Sequence, residues 1–141
     1  MMISKGLKIY SDGGARGNPG PSASAFVVIE EGKVIFKKSK YLGKNTNNFA
    51  EYTGVRMALD WLRKKYKKKG GERITLNVDS QLVVKQLSGE YKVKSKNLKP
   101  LILKIKELEK TVGARINYLS VPREKNKLAD YLVNEVLDEN S

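Results

Sequence analysis

The sequence predicts an α/β fold built on a mixed sheet covered by helices. Two observations carry this. Three strand-like segments, the first of them alternating apolar and polar residues, follow one another within the first 42 positions, and later strand-like segments are separated by stretches with a helical repeat. The 141 residues suffice for one domain with a real core and not for two, so residues 1–141 are read as a single unit.

The first strand begins at Leu7, with Leu7 and Ile9 on one face and Lys8, Tyr10 and Asp12 on the other. Gly13, Gly14, Gly17, Asn18, Pro19, Gly20 and Pro21 follow, and the chain is expected to turn back directly after Asp12. Ser22 to Glu30 reads as a second strand, Glu31-Gly32 as a tight turn and Lys33 to Leu42 as a third strand, completing an antiparallel meander. Asn45 to Asn48 opens a helix. Asn48-Phe49-Ala50-Glu51 has the spacing of a capping box, and Val55, Ala58, Leu59, Leu62 and Tyr66 carry an apolar face to about Lys68, with Gly70-Gly71 as the stop. Arg73 to Asp79 is a strand with Ile74, Leu76 and Val78 on one side, and Ser80 to Leu87 a short helix. The polar, basic segment Ser88 to Lys96 is a loop. Asn97 to Val112 is a helix with Leu98, Leu101, Ile102, Ile105 and Leu108 as its stripe, and Gly113 punctuates it. Ala114 to Ser120 is the last strand, and from Pro122 a terminal helix carries Leu128, Leu132, Val136 and Leu137.

Composition narrows the chemistry. Lys and Arg number 28 against 15 Asp and Glu, a formal charge of +13, which attracts polyanions and above all nucleic acid. A lysine-rich solvated surface of the kind found in heat-stable proteins accounts for the same excess. There is no cysteine and no histidine. Disulfides, thiolate nucleophiles and soft-metal sites are excluded, and a cytoplasmic location is expected. A catalytic metal must then be held by oxygen, which points to Mg²⁺ or Mn²⁺ rather than zinc. Met1 to Lys5 contains no long apolar run, so neither a signal peptide nor a membrane span is expected.

Four acids sit where a strand meets a loop or a helix begins: Asp12, Glu51, Asp79 and Asp130. Each has an ordinary alternative. Asp-Gly is a common turn pair, which suits Asp12. Glu51 suits the acceptor arm of the capping box, Asp79 the N-cap of the helix beginning at Ser80, and Asp130 a first-turn acid favoured by the helix dipole. Yet Glu51 shares a helix face with Val55, Ala58 and Leu62, and Asp130 shares one with Val133 and Leu137, so both lean toward apolar surroundings where an unpaired carboxylate is costly. If the four converge at one sheet edge, two divalent ions about 4 Å apart would neutralise them and could serve phosphodiester cleavage without any histidine.

Asp12-Gly13-Gly14-Ala15-Arg16-Gly17-Asn18-Pro19-Gly20, Asn47-Asn48-Phe49-Ala50-Glu51, Val78-Asp79-Ser80-Gln81 and Asn126-Lys127-Leu128-Ala129-Asp130 resemble, in order, the four motifs of type 1 ribonuclease H. The resemblance covers nearly the whole chain. It implies a ribonuclease H-like fold: a five-stranded mixed sheet, three antiparallel strands followed by two parallel ones, flanked by helices. It also implies Mg²⁺-dependent cleavage of the RNA strand in an RNA/DNA hybrid, leaving a 3′-hydroxyl and a 5′-phosphate. By matching position, Asp12, Glu51, Asp79 and Asp130 are the implied metal ligands. Gly13 and Gly14 lie in the implied substrate-binding motif, and Asn18, Asn48 and Gln81 match positions that contact the minor groove, where amides suit the 2′-hydroxyl as both donor and acceptor.

Two departures from the family pattern stand out. Many members carry a histidine in the loop before the last aspartate, whereas Val121 to Lys125 is short and has none. Arg123 is the expected replacement, a guanidinium able to hold a phosphate but not to act as a base. The loop from Ser88 to Lys96 is also too short for the helix and basic protrusion of some relatives, so Lys92, Lys94, Lys96 and the Arg63 to Lys69 run are expected to supply diffuse charge. Double-stranded RNA stays open as a second substrate, and no membrane or obligatory protein partner is expected. An inactive binding module of the same fold and a nuclease acting on DNA junctions are the competing readings; four intact acids argue against the former, because they would only repel a bound polyanion.

Overall fold

The computed structural model describes residues 7–65 and 73–141. In chain order it holds β1 (Lys8–Ala15), β2 (Gly20–Glu30), β3 (Lys33–Asn45), α1 (Asn47–Lys65), β4 (Arg73–Val78), α2 (Gln81–Leu87), α3 (Lys99–Val112), β5 (Arg115–Ser120), a single 3₁₀ turn (Arg123–Lys125) and α4 (Lys127–Glu139). The strands form one five-stranded sheet in the order β3-β2-β1-β4-β5. β1, β2 and β3 pair antiparallel, whereas β4 runs parallel to β1 and β5 parallel to β4, as the resemblance implies. β3 is one outer edge of this sheet and carries five lysines in its thirteen residues.

Alternation along β2 sorts its side chains onto two cores. Phe26 and Val28 join Ile9, Leu76, Val55, Leu59 and Ile105 on the face covered by α1 and α3. Ala23, Ala25 and Val27 face the other way, against Ala129, Leu132, Val133, Val136 and Leu137 of α4. The predicted stripes of α1, up to Leu62, and of α3 are buried, except that Ile102 is only partly so, and Ile74, Leu76 and Val78 are fully enclosed. Leu128 is an exception, 38% exposed at the border of α4. The predicted residues Tyr66, Lys68 and Gly70-Gly71 lie outside the described residues.

β1 does not end at Asp12. It continues through Gly13, Gly14 and Ala15, opposite Ser24, Ala23 and Ser22, and the chain reverses only afterwards, with the Arg16 N–H donating to the Pro21 carbonyl at 2.8 Å. The glycine at 13 serves proximity, not turning. A Cβ there would sink into the Ala50 carbonyl and stand 2.5 Å from the Glu51 nitrogen, and one at Gly54 would stand 2.8 Å from the Asp12 carbonyl oxygen. Two bare backbones therefore let α1 lie directly on β1.

Helix entries also differ from expectation. Thr46, not Asn48, caps α1, its Oγ1 accepting from the Phe49 N–H at 3.1 Å, so the capping box at Asn48 and Glu51 does not form. The helix starts two residues earlier than that box requires, which turns Glu51 toward β1. Ser80 caps α2 by accepting from the Val83 N–H at 3.2 Å, which releases Asp79 from that task. α3 starts at Lys99 with Pro100 in its first turn, where a missing N–H costs nothing. A 3₁₀ turn delays α4 from Pro122 to Lys127.

Candidate active site

Parallel pairing of β1 with β4 aligns Ser11 with Val78, so the next residues, Asp12 and Asp79, emerge side by side at the middle of the sheet. Glu51 arrives from α1, pressed onto the same point by the contact at Gly13. Carboxylate oxygens of Asp12, Glu51 and Asp79 all lie within 4.8 Å of one another. Asp130, in the first turn of α4, stands outside this trio but lines the same cavity of about 480 Å³.

Burial dominates the electrostatics. Asp12 and Glu51 are each only 6% exposed. Burial pushes the Asp12 carboxyl up to about 7; its hydrogen bond with Glu51 holds it down, and the charges of Asp79 and Asp130 push it further up. Glu51 is raised well above the usual carboxylate range, by burial first and by Asp12 next. Asp79 is also raised, again chiefly by burial, with Arg123 pulling it back and Asp130 adding to the rise. Acids this close in a poorly solvated pocket cannot all ionise without a compensating charge.

Hydrogen bonding leaves room for that charge. Glu51 Oε1 accepts from the Gly13 N–H at 2.6 Å, while Glu51 Oε2, though buried, meets no N–H or hydroxyl donor among the described residues. Ser11 Oγ and Asn126 Oδ1 are buried without partners among the described residues as well. A carboxylate oxygen left bare among two other carboxylates is the donor set of a hard cation, and a chain without histidine or cysteine offers no softer ligands.

Asparagines tie the surrounding elements together. Asn126 is 1% exposed; its Nδ2 donates to the Ser11 carbonyl at 2.9 Å, and its amide lies close enough to Asp79 to favour the charged form. Asn47 Oδ1 accepts from the Ala15 N–H at 2.7 Å, and Asn18 Oδ1 accepts from the Asn47 N–H at 3.0 Å. Gly14, Asn48, Ser80 and Arg123 line the acid cavity. Asn48 also borders a second cavity with Asn18, Lys44 and Thr46. Gln81 opens α2 and is exposed, next to Ser80 but not on the cavity wall. Asn47, Asn126 and Arg16 emerge here as site residues that sequence reasoning did not single out, although all three fall inside the quoted motifs.

The expected sources of diffuse charge fare unequally. Lys92 and Lys94 are in a segment without helix or strand and border a groove with Asn48, Tyr91 and Gln86. Arg63 and Lys64 instead pair with Asp60 on their own helix, at 2.9 and 3.2 Å, and Lys65 stands about 21 Å along the axis from Glu51. Those pairs mark a solvated helix face, and the remainder of the run to Lys69 lies outside the described residues.

A family model described as reverse transcriptase-like matches residues 10–136. The "Bifunctional protein Rv2228c" of Mycobacterium tuberculosis is 39% identical over 132 residues, covering 92% of this chain and 35% of that protein. "Ribonuclease HI" of Halobacterium salinarum is 37% identical over 131 residues, covering 92% of this chain and 63% of that one. The chain thus spans from about a third to somewhat under two thirds of these relatives. Among solved structures, LC11-RNase H1 in complex with an RNA/DNA hybrid superposes with a TM-score of 0.89 at 40% identity, covering 95% of this chain and 98% of the other. RNase H1 from Halobacterium salinarum superposes with a TM-score of 0.84 at 35% identity, covering 94% and 98%.

Proposed function

Because this chain belongs to the type 1 ribonuclease H family, we propose that it is an endonuclease that hydrolyses the RNA strand of RNA/DNA hybrids and leaves 3′-hydroxyl and 5′-phosphate ends. One observation carries the reading: three carboxylates from β1, α1 and the end of β4 meet within 4.8 Å in a cavity that a fourth also lines.

Asp12, Glu51, Asp79 and Asp130 would hold the metal, Asp12 and Asp79 from the centre of the sheet and Asp130 from the rim. Bound there, a pair of Mg²⁺ ions, or Mn²⁺ in their place, supplies activation of a water and stabilisation of charge on the leaving oxygen. The bare Glu51 Oε2 supports this fit. Arg123, already close enough to Asp79 to bias its ionisation, holds the phosphate beside the acids. It takes no part in proton transfer.

Recognition of the RNA strand falls to Gly13, Gly14, Asn18, Asn48 and Gln81. Asn18 spends its oxygen on the Asn47 N–H, so its Nδ2 is the group available to a 2′-hydroxyl. Asn48 stands between the acid cavity and its neighbour, where one amide can meet a ribose on the way to the cut site. The 141 residues work as one catalytic domain on hybrid duplex. A cytoplasmic location is in keeping with the cysteine-free sequence. Among the described residues no helix is long and apolar enough to cross a membrane.

Purified protein is incubated with an end-labelled RNA/DNA hybrid, double-stranded RNA and a DNA junction, with Mg²⁺ or Mn²⁺. Cleavage of the hybrid's RNA strand, giving ends that a polymerase extends, is expected. An intact hybrid under both metals across pH 6 to 10 would sink the proposal.

A further inference from the structure

Two arginines line the acid cavity together with its four carboxylates: Arg123, and Arg16 just past the end of β1. Arg16 follows Asp12 by four residues along the chain, about 13 Å between Cα atoms if extended, a separation that suits a phosphate further along the strand better than the one being cut. In the free protein its Nη2 is 2.6 Å from Asp138 Oδ1 and 3.4 Å from Asn134 Oδ1. Asn134 in turn donates from Nδ2 to the Asp130 carbonyl at 3.0 Å. Asp130, Asn134 and Asp138 are spaced by four residues on α4, so the guanidinium lies along the helix face that also bears the rim carboxylate.

Resting on the ribonuclease reading above, we infer that Arg16 is a contact for a backbone phosphate of the RNA strand away from the scissile bond, and that Asp138 is the latch that holds it when no substrate is bound. Both contacts of Arg16 fall on Nη2, and Nε and Nη1 have no partner among the described residues. A planar fork with one edge spare can engage a phosphate before the latch lets go. The side chains of Arg16 and Asp138 are 43% and 70% exposed, so their pairing is of the screened surface kind that a polyanion displaces. A cavity with four acids also needs cations along the path of an incoming phosphate chain, and Arg123 serves only the neighbourhood of Asp79.

The latch predicts opposite effects from its two halves. Binding of an RNA/DNA hybrid is measured with Ca²⁺ replacing Mg²⁺, so that the RNA stays intact, across a salt series; wild-type cleavage with Mg²⁺ is scored separately. Arg16→Ala is expected to weaken binding about tenfold and to lower the slope of log affinity against log salt by about 0.9, the loss of one phosphate contact. Arg16→Lys keeps the slope. Asp138→Asn is expected to tighten binding severalfold, and to do nothing in the Arg16→Ala background; Glu139→Gln, which removes a neighbouring charge, gives no comparable gain. If Arg16→Ala and Asp138→Asn instead weaken binding alike, lower the melting temperature alike and leave the slope unchanged, Arg16 is a strap between the β1–β2 turn and α4, and the proposal is wrong. A wild-type protein that neither binds nor cuts the hybrid would overturn the ribonuclease reading and this one with it, an outcome distinct from failure of the variants alone.

Discussion

The Gly13 N–H donates to Glu51 Oε1 at 2.6 Å, and the same glycine has no room for a side chain because the backbone of Ala50 and Glu51 occupies that space. A single position thus fixes both the height of α1 above the sheet and the direction of a candidate metal ligand.

Gly13→Ala is therefore expected to be severe on both counts. The added methyl must push α1 off β1, an overpacking cost of about 3 kcal/mol or more, and the Glu51 carboxylate moves with the helix. Urea denaturation and hybrid cleavage measure the two losses. A variant that retains wild-type stability and rate would show that the close contact does not matter.

The metal-free protein should lose stability as pH rises. Asp12 and Glu51 are raised by burial in the folded chain relative to their ordinary unfolded values, so the fold binds their protons more tightly than the unfolded chain does. Their contribution is fully present below about pH 4 and is lost as pH climbs through the Asp12 value of about 7. In EDTA the melting temperature should fall by several degrees between pH 5 and pH 8, and Mg²⁺ should restore more at pH 8 than at pH 5. Asp12→Asn should flatten the curve while abolishing cleavage. Thermal melts with and without metal decide this, and a melting temperature that rises over the interval contradicts it.

Asn126→Ala removes the donor to the Ser11 carbonyl and strands that buried oxygen, at a cost of about 1–3 kcal/mol. It also takes an amide away from Asp79, whose pKa should rise further. The acidic limb of the pH–rate profile is expected to shift upward. An unshifted profile in a destabilised variant would confine Asn126 to a packing role.

Arg123→Ala should lower the rate by about tenfold and, by lifting the positive field at Asp79, move the acidic limb in the same direction. Arg123→Lys keeps the charge and should recover the profile better than the rate, since an ammonium lacks the planar fork. Unchanged single-turnover cleavage and product release in Arg123→Ala would remove Arg123 from the site.

Period and spacing made most of the architecture legible. The buried run of β2, the alternation in β4, the apolar stripes of α1 and α3 and the position of Asp130 in the first turn of α4 were readable, because each depends on residues a few positions apart, whereas Asp12, expected at a strand end, lies inside β1. What escaped depends on partners far along the chain. Nothing near Gly13 announces that Glu51 lies over it, and the Asn126 amide finds Ser11 across 115 positions. The cap of α1 was misread, and that of α2 left open, for a different reason. Thr46 competes with Asn48, and Ser80 with Asp79, as chemically equivalent acceptors, and only the helix start chooses between them. That choice matters, since it frees Glu51 and Asp79 from capping and leaves both in the cluster.

The lysines of β3 lie along a strand whose outer backbone groups pair with no further strand among the described residues. A second copy approaching this border meets five like charges before any ladder can form, so self-association through strand addition is disfavoured. The same border attracts polyanions. On the proposed function, an edge that draws in a polyanion thereby also keeps copies of the chain from knitting together.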